Sequence, residues 1–387
     1  MKSDDVDPIV PAEQVGMDAL ALQRVRSAFR ARIRRGASPG GQLVVRRHGK
    51  KVLSEATGIA SGFRADEGGV VDVVTPRTRF LVLSATKAVT AFAIAMLEDR
   101  GLLDLDAPIA AVFPEFAAFG KAALTTRDVL VHQAGVLMPG LVSRPEDWTD
   151  WDKIRDHMVT TRPSVPRGTL VYHPFEYGWI LGEVVERVTG APIDVFVNDE
   201  IAAPAGLPRL RFRARPDDVD PLARAYWLGG RLVLSGADLS SRFEEVANSP
   251  GILGALVPAA GIVTDADTLA RFYDLVLAGG VTASGQRLLS ASTLRRYTRA
   301  GPVGFDVVNK VPFSVGLGFM TGARLPSLFG WRASESCFGH SGAFSTLAFG
   351  DHQTGLSVAM VTNGNRGFAD LFWRCAPLSQ ALRDACE

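Results

Sequence analysis

Ser84 and Lys87 form the pair most suited to chemistry in this sequence, within the string Ser84-Ala85-Thr86-Lys87. Residues three apart lie on the same face of a helix, so a hydroxyl and an amine can approach hydrogen-bonding distance there. A serine hydroxyl becomes a good nucleophile when a base removes its proton. A lysine can be that base when burial or a nearby cation lowers the pKa of its ammonium group. The spacing therefore predicts nucleophilic serine chemistry.

The neighbours of the pair support this interpretation. Residues 81–83 and 88–89 are apolar, and apolar surroundings disfavour an uncommitted charge on Lys87. The chain contains seven lysines, and Lys87 belongs to its only Ser-x-x-Lys motif. A helix starting at Ser84 would also place positive potential where an oxyanion develops. The alternative is a chance motif, with Ser84 as an N-cap and Lys87 in solvent.

The residues around this pair resemble the active-site segment of the serine β-lactamase and penicillin-binding-protein superfamily. They are most similar to its class C-like carboxylesterases, known as family VIII esterases. The resemblance begins with FLVLSATKAVTAFAIAMLEDRGLLDLDAPIAAVFPEF and continues in LTTRDVLVHQAGV, PRGTLVYHPFEYGWILGEVVERVTG, PAAGIVTDADTLARFYDLVLAGG and FGHSGAFSTLAFGDHQTGLSVAMVTN. These blocks occur in family order between about residues 75 and 363. The resemblance implies a β-lactamase-like fold and a serine hydrolase.

The family's second motif, Tyr-x-Asn, matches Tyr172-His173-Pro174. The resemblance implies that the Tyr172 hydroxyl lies beside the nucleophile and transfers protons. We expect its pKa to fall from about 10, because the Lys87 ammonium would stabilise the phenolate. We expect His173 to contribute to the substrate-binding site without being the base. Pro174 replaces an asparagine that helps the family bind β-lactam amides, so lactam or peptide hydrolysis is disfavoured.

The third motif is Lys-Thr-Gly in lactamases and His340-Ser341-Gly342 here. The resemblance implies a strand that lines the cleft and binds substrate. Histidine carries less positive charge at pH 7 than lysine, which favours uncharged esters over carboxylates. Gly342 would let a substrate lie close against the strand. The backbone N–H groups of Ala343 and Ser84 would form the oxyanion hole.

A second serine motif offers an alternative nucleophile. Gly339-His340-Ser341-Gly342-Ala343 imitates the Gly-x-Ser-x-Gly elbow of α/β-hydrolases. That elbow needs a downstream Asp and His on separate elements. Asp351-His352 follows only about ten residues later, next to a strand pattern, so we reject this alternative.

Further candidates are aromatic or isolated residues. Tyr226 and Trp227 lie in a loop-like stretch and could line an acyl pocket. His132 is expected to be structural, in a turn at a helix end. The remaining aromatic residues considered are expected to belong to the core: Trp148, Trp151, Tyr177 and Trp179.

Hydrophobic periodicity predicts the elements that position these residues. Residues 17–35 have the pattern of an amphipathic helix that ends at Gly36. Two β-rich runs meet around residues 48–50, which predicts a hairpin. A polar, glycine-rich loop is expected at 61–79, and a helix at 84–100.

The domain organisation follows from where strand patterns occur. Late in the chain, two strands and a helix are predicted at residues 343–349, 355–362 and 368–384. We therefore expect an α+β fold in which residues 1–100 and 257–387 share one antiparallel sheet flanked by terminal helices. Residues 101–256 would form a mostly helical domain, with the active site in the cleft between the two.

Composition excludes several classes of protein. The chain has 387 residues, 47% of them hydrophobic, and a net charge of +1, which gives no reason to expect a nucleic-acid partner. Three cysteines without CxxC spacing predict neither a zinc site nor a disulfide framework. No phosphate-binding or dinucleotide-binding motif is present, so no cofactor is expected. The start of the sequence lacks a signal-peptide pattern, and no apolar run is long enough to span a membrane. We expect a cytoplasmic protein.

Ester hydrolysis is the expected function, with a small-molecule ester of short acyl chain as substrate and a Ser84 acyl-enzyme as intermediate. Acyl transfer, weak β-lactamase activity and amidase activity use the same intermediate and remain alternatives. A third alternative is a non-catalytic member of the fold that only binds. The oligomeric state is not predicted.

Overall fold

The computed structural model describes residues 7–215, 218–323, 326–332, 335–343 and 346–386, without the side chains of 368 and 369. The α-helices of these ranges are α1 (Ala19–Arg34), α2 (Thr86–Asp99), α3 (Thr126–Leu130), α4 (Pro139–Val142), α5 (Trp151–Thr160), α6 (Glu176–Thr189), α7 (Ile193–Val197), α8 (Phe243–Asn248), α9 (Pro250–Leu253), α10 (Ala266–Leu277), α11 (Ala291–Thr298) and α12 (Phe368–Asp384).

The strands are β1 (Gly40–Arg47), β2 (Lys50–Ser61), β3 (Asp72–Val73), β4 (Phe80–Leu81), β5 (Tyr226–Trp227), β6 (Val233–Leu234), β7 (Ala237–Asp238), β8 (Val263–Thr264), β9 (Val303–Phe305), β10 (Pro312–Ser314), β11 (Met320–Thr321), β12 (Cys337–Gly342), β13 (Thr346–Asp351), β14 (Leu356–Thr362) and β15 (Gly364–Asn365). In the described ranges, each of the strands outside the main sheet is two or three residues long.

One antiparallel sheet of seven strands joins the two ends of the chain. Its order is β11-β12-β13-β14-β1-β2-β3. Early strand β1 pairs with late strand β14, from Gly41 opposite Thr362 to Arg47 opposite Leu356. The predicted α+β fold, with a sheet shared by the first and last parts of the chain, is confirmed.

Successive residues of the central strands point to opposite faces of the sheet, and each face packs against its own hydrophobic core. Leu43 and Val45 pack with residues of α1 and α12 on one face of the sheet. Val44, between them, packs with residues of α2 and α10 on the other face. This is the period of two that a strand buried on both faces requires.

Local signals in the sequence account for the first elements. Asp18 caps α1 by accepting the backbone N–H groups of Leu20 and Ala21. His48 and Gly49 have φ of 50° and 75°, the left-handed pair that suits a two-residue hairpin turn. The predicted helix and hairpin are therefore confirmed.

Residues 101–256 contain α3 to α9 and the short strands β5, β6 and β7. Their helical character agrees with the prediction, while the domain boundaries themselves stay a prediction. The loop expected at 61–79 contains one short strand, β3, which extends the sheet edge beside β2.

Helix α2 has no exposed face over most of its length. Its first twelve residues are all buried, and it packs against α6, α7, α11 and β12. A helix that is enclosed on all sides has to bury whatever polar residue it carries. Lys87, in its first turn, is therefore removed from solvent.

Candidate active site

Ser84 lies in a tight turn of 3-10 helix immediately before α2. The approach to this turn is fixed by pairing of β4 with β8 and by a 3.0 Å hydrogen bond from the Val82 N–H to the Ile262 carbonyl. Leu83 has a φ of 49°, a left-handed conformation that costs a residue other than glycine about 1–3 kcal/mol. The backbone is thus strained directly before the predicted nucleophile.

The amine of Lys87 reaches three oxygen atoms. Nζ lies 3.3 Å from Ser84 Oγ, 2.7 Å from the Pro174 carbonyl oxygen and 3.2 Å from the Ala259 carbonyl oxygen. A neutral amine has two N–H groups and one lone pair. The two carbonyls can only accept, so they take the two N–H groups and leave the lone pair for the Ser84 hydroxyl proton.

The pKa of Lys87 agrees with the prediction from its apolar neighbours. Burial lowers this pKa from 10.5 to about 7, and the nearby Glu176 carboxylate opposes the change. At neutral pH a large fraction of the enzyme therefore carries the uncharged amine that a general base requires.

Tyr172 lies beside Lys87, with its ring centroid 4.9 Å from Lys87 Nζ. Burial raises the pKa of Tyr172 well above its ordinary value and outweighs the lowering effect of a hydrogen bond with Ser84. The predicted fall of this pKa is wrong, because desolvation of the phenolate exceeds any gain from the lysine. A phenol that stays protonated is suited to donate a proton and not to remove one.

His173 is fully buried behind Tyr172 and does not line the cavity. Burial lowers its pKa to about 3, so the ring is neutral. Its backbone N–H donates to Nδ1 of His132 at 3.1 Å. The structure therefore does not place His173 among the residues that can contact substrate, contrary to the prediction, because its ring is buried away from the cavity surface.

His340 and Ser341 both line the cavity from strand β12. The His340 Nδ1 lies 2.7 Å from the Ser341 carbonyl oxygen, so Nδ1 carries the proton that bonds it. Burial, followed by the charge of Lys87, lowers the pKa of His340 to about 3. This wall of the cavity therefore carries no positive charge at neutral pH.

Gly342 is required by a backbone approach and not by a substrate. A Cβ atom there would lie 2.3 Å from the carbonyl oxygen of Val82, in the segment that leads to Ser84. We expected Gly342 to let substrate lie close to the strand. The structure shows instead that it lets β12 pack closely on the turn that carries Ser84. Ala343, the next residue, lines the same cavity as Ser84, as an oxyanion hole made of both would require.

The cavity above these residues has a volume of about 330 Å³. One wall comes from the helical region and includes Trp148, Phe175, Leu234, Phe243 and Ile252. The opposite wall includes Val311, Phe313, Met320, Leu328 and Phe372. Within the described residues, the lining has no lysine or arginine and a single carboxylate, that of Asp306. An uncharged, largely apolar ligand fits such a surface.

Tyr226 and Trp227, predicted to line an acyl pocket, are not brought into this cavity. Tyr226 is fully buried, and its hydroxyl lies 2.8 Å from a Glu67 carboxylate oxygen. Trp227 packs behind Phe243, with ring centroids 5.7 Å apart. Trp148 belongs to the core, as predicted, with 3% of its surface exposed, and it also lines the cavity.

The alternative serine elbow does not form. Asp351 Oδ2 accepts a 3.1 Å hydrogen bond from Arg383 Nε. His352 Nε2 lies 3.1 Å from the hydroxyl of Thr298. Neither side chain contacts Ser341 in the described part of the chain, so the rejection of this alternative agrees with the structure.

Two segments of the chain that line the cavity were not predicted from the sequence. One is the hairpin of β9 and β10, with Asp306 and Asn309 at its turn; the other is the start of α12, with Leu371 and Phe372. The string VGFDVVNKVPF places Asp and Asn between two apolar runs, which is a turn signal. This turn signal predicts a hairpin, but it does not show that the hairpin packs beside Ser84 and Tyr172.

Across the described ranges, no group of three His, Cys, Asp or Glu residues is placed to hold a metal ion. No helix in those ranges has both the length and the apolar character that a membrane span needs.

Comparison with known proteins identifies the family. The family model described as Beta-lactamase matches residues 25–373. The chain belongs to the beta-lactamase family. "Esterase/beta-lactamase LipL" of Mycobacterium tuberculosis (strain ATCC 25618 / H37Rv) is 32% identical over 307 residues, which cover 73% of this chain and 68% of LipL.

Solved structures of beta-lactamase relatives have the same fold. A family VIII carboxylesterase superposes with a TM-score of 0.80 at 25% identity, covering 96% of this chain and 99% of its own. A penicillin-binding protein homologue from Caulobacter crescentus superposes with a TM-score of 0.79 at 27% identity, with the same coverage. The resemblance inferred from the motifs is confirmed, and the chain has the fold of a beta-lactamase family hydrolase.

Proposed function

We propose that this protein is a serine carboxylesterase that hydrolyses uncharged esters through an acyl-enzyme at Ser84. One observation carries the proposal. The buried amine of Lys87 donates to two carbonyl groups, which directs its lone pair at the Ser84 hydroxyl 3.3 Å away. A base held in this geometry, with a pKa near the working pH, is what activation of a serine requires.

Acylation then proceeds with each proton accounted for. Lys87 takes the hydroxyl proton while Ser84 Oγ forms a bond to the ester carbonyl carbon. The backbone N–H groups of Ser84 and Ala343 stabilise the oxyanion. When the intermediate collapses, the bond to the alcohol oxygen breaks and Tyr172 gives that oxygen its phenolic proton. The Lys87 ammonium returns a proton to Tyr172, and both groups regain their starting states.

Deacylation reverses the same transfers with water in the place of alcohol. A water molecule passes its proton through Tyr172 to neutral Lys87 and attacks the acyl carbon. The bond to Ser84 Oγ then breaks, and the lysine returns the proton to that oxygen. Tyr172 gives its own proton to the Lys87 amine as it receives one from water, so this transfer does not need a phenolate in the resting enzyme.

The cavity supports an uncharged substrate. Its lining combines apolar side chains with the single carboxylate of Asp306, and the neutral His340 adds no positive charge. A substrate carboxylate would lose its hydration there without gaining a cationic partner. The likeness to a family VIII carboxylesterase and to an esterase/beta-lactamase favours ester bonds as the target.

Hydrolysis of a β-lactam on the same serine is the second candidate, because the name of the relative LipL joins both activities. Two features of this chain weigh against it. Proline stands at 174, where the resemblance implies an asparagine, and its carbonyl is occupied by Lys87. His340 is neutral where the resemblance implies a lysine. We therefore expect nitrocefin to be a poor substrate compared with p-nitrophenyl butyrate.

The experiment compares p-nitrophenyl hexanoate with the p-nitrophenyl monoester of adipic acid. The two acyl groups have six carbons each and differ in a terminal carboxylate. We expect kcat/KM to be about 100-fold higher for the hexanoate, since a desolvated, unpaired carboxylate is costly. Spontaneous hydrolysis of both esters provides the control for intrinsic reactivity. Equal values, or a preference for the adipate, would contradict the proposed substrate class.

Chain length is measured in the same series. The preference for short acyl groups stays a prediction, and esters from butyrate to decanoate test it directly. Adding an alcohol during turnover separates hydrolysis from acyl transfer, because both nucleophiles compete for one acyl-enzyme. A chain that hydrolyses none of these esters is not the esterase proposed here.

A further inference from the structure

Three consecutive backbone N–H groups around Tyr172 are held by two residues from distant parts of the chain, His132 and Asp306. The Val171 N–H donates to the His132 carbonyl at 3.0 Å. The Tyr172 N–H donates to Asp306 Oδ2 at 3.1 Å, and the His173 N–H donates to His132 Nδ1 at 3.1 Å. The backbone is thus fixed before, at and after the residue that carries the phenol.

The same segment ends on the general base. Pro174 has no N–H to donate, and its carbonyl accepts from Lys87 Nζ at 2.7 Å. Lys87, in turn, is held rigidly because α2 is buried around it. The segment 171–174 therefore links the phenol and the amine into one unit whose position depends on His132 and Asp306.

Asp306 makes more contacts than its hairpin turn requires. Its Oδ1 accepts the backbone N–H groups of Val308 and Asn309 at 2.8 and 2.9 Å, which is an ordinary Asx turn. Its Oδ2 accepts Asn309 Nδ2 at 2.7 Å and the Tyr172 N–H at 3.1 Å. The side chain is fully buried. Among the described residues, Oδ2 is the oxygen of Asp306 that reaches outside the hairpin, and it accepts from the backbone of Tyr172.

His132 is held in an unfavourable conformation to make its two contacts. Its φ is 59°, in the left-handed region. Its ring packs on Tyr172 with centroids 4.8 Å apart. Nδ1 can accept the His173 N–H only when the ring is neutral. Burial lowers the pKa of His132 well below its ordinary value, so the ring is neutral at neutral pH. Acceptance at Nδ1 then requires the tautomer that carries its proton on Nε2.

We infer that Asp306 and His132 are positioning residues that hold the Tyr172 phenol over Ser84 and Lys87. The inference rests on the proposed function, in which that phenol transfers the proton. The hydroxyl is at the far end of a long, rigid side chain, so a small rotation of the backbone moves it far. A displacement of about 1 Å in a reacting group can lower a rate by about 100-fold.

The discriminating variant is Asp306→Asn. Asparagine keeps one oxygen for the Asx turn, but its amide nitrogen cannot accept the Tyr172 N–H. We expect kcat for p-nitrophenyl hexanoate to fall 10- to 100-fold while KM changes less than threefold. The acidic midpoint of the profile of kcat/KM against pH should stay near 7, because burial and Glu176 determine the Lys87 pKa.

Asp351→Asn is the matched control. Asp351 is also fully buried and accepts from Gln353 N–H, Thr354 Oγ1 and Arg383 Nε at 3.0 to 3.1 Å, away from the cavity. Both variants should lose thermal stability, and only Asp306→Asn should lose kcat. A wild-type kcat in Asp306→Asn, or an equal loss in Asp351→Asn, would overturn the inference.

A second pair of variants covers the case in which Asp306→Asn does not fold. His132→Asn offers an amide oxygen as acceptor, and asparagine tolerates the left-handed backbone. His132→Leu removes the acceptor. We expect His132→Asn to keep kcat within about fivefold and His132→Leu to lose at least as much as Asp306→Asn. Similar rates in the two variants would contradict a role for the Nδ1 contact.

A structural readout separates this inference from the proposed function. If wild-type protein hydrolyses no ester, the proposed function fails while the positioning claim remains testable by crystallography. The Tyr172 hydroxyl should then be displaced from Ser84 Oγ in His132→Leu and unmoved in His132→Asn. An unmoved hydroxyl in both would refute the positioning role whatever the activity.

Discussion

Replacing Ser84 with alanine is expected to lower kcat for p-nitrophenyl hexanoate by a factor on the order of 10⁴ or more. The variant has no oxygen to form the acyl-enzyme, and what remains is catalysis by the oxyanion hole and binding alone. Steady-state kinetics gives the rate. Labelling with a fluorophosphonate, followed by mass spectrometry of the intact protein, shows whether a covalent adduct still forms.

Ser341→Ala tests the alternative serine in the same assay. Ser341 lines the cavity, so its rates can change, but the fluorophosphonate adduct should still form and map to Ser84. An adduct on Ser341 in the wild-type protein, or a Ser84→Ala variant with undiminished kcat, would refute Ser84 as the nucleophile.

Replacing Lys87 with methionine should lower kcat by about 10³-fold, within the range expected for a general base. Methionine has a similar length and leaves the cavity lining intact, since Lys87 lies behind Ser84 and not on the cavity surface. The Ser84 hydroxyl then has no base at 3.3 Å. The variant should bind substrate with little change in KM, because the amine acts on the nucleophile.

Lys121→Met is the matched control for this variant. Lys121 is also buried, and Nζ donates to the carbonyls of Ala118, Val159 and Thr161 at 2.7, 2.9 and 2.6 Å. Burial lowers its pKa to about 8. It does not line the cavity. We expect Lys121→Met to keep kcat within about threefold, and equal losses in both lysine variants would show that the effect of Lys87 is structural.

Features with local causes could be predicted from the sequence. Ser84 and Lys87 meet because a helix brings residues three apart together, which needs no knowledge of the rest of the chain. The turn at His48 and Gly49 depends on two residues that tolerate left-handed backbone. The apolar residues around Lys87 in the sequence predicted that it would be buried, and burial is what lowers its pKa.

Features that depend on distant segments could not be predicted in this way. Asp306 is 134 residues from Tyr172 in sequence, and His132 is 41 residues from His173. Their contacts depend on how the hairpin of β9 and β10 packs on the helical region. The direction of the Tyr172 pKa was mistaken for the same reason. Its desolvation comes from the whole surrounding fold, whereas the sequence offered only one partner, Lys87.

The two aromatic residues assigned to the pocket show the same limit. Tyr226 and Trp227 lie between helical segments, where composition alone suggests a surface loop. Strand β5 instead pairs with β15 beside the main sheet, which buries Tyr226 completely. The cavity wall is formed by residues of α8 and α9 and by Trp148. No periodic pattern marks those residues as facing a ligand.

The most direct test of the account is the rate at which a fluorophosphonate modifies Ser84 between pH 5 and pH 9, followed by mass spectrometry. If neutral Lys87 removes the serine proton, the rate should rise with pH and level off, with a midpoint near 7. Lys121→Met should show the same midpoint, and Lys87→Met should lose this transition. A wild-type rate that is independent of pH, or one that keeps rising in proportion to hydroxide through pH 9, would contradict Lys87 as the base.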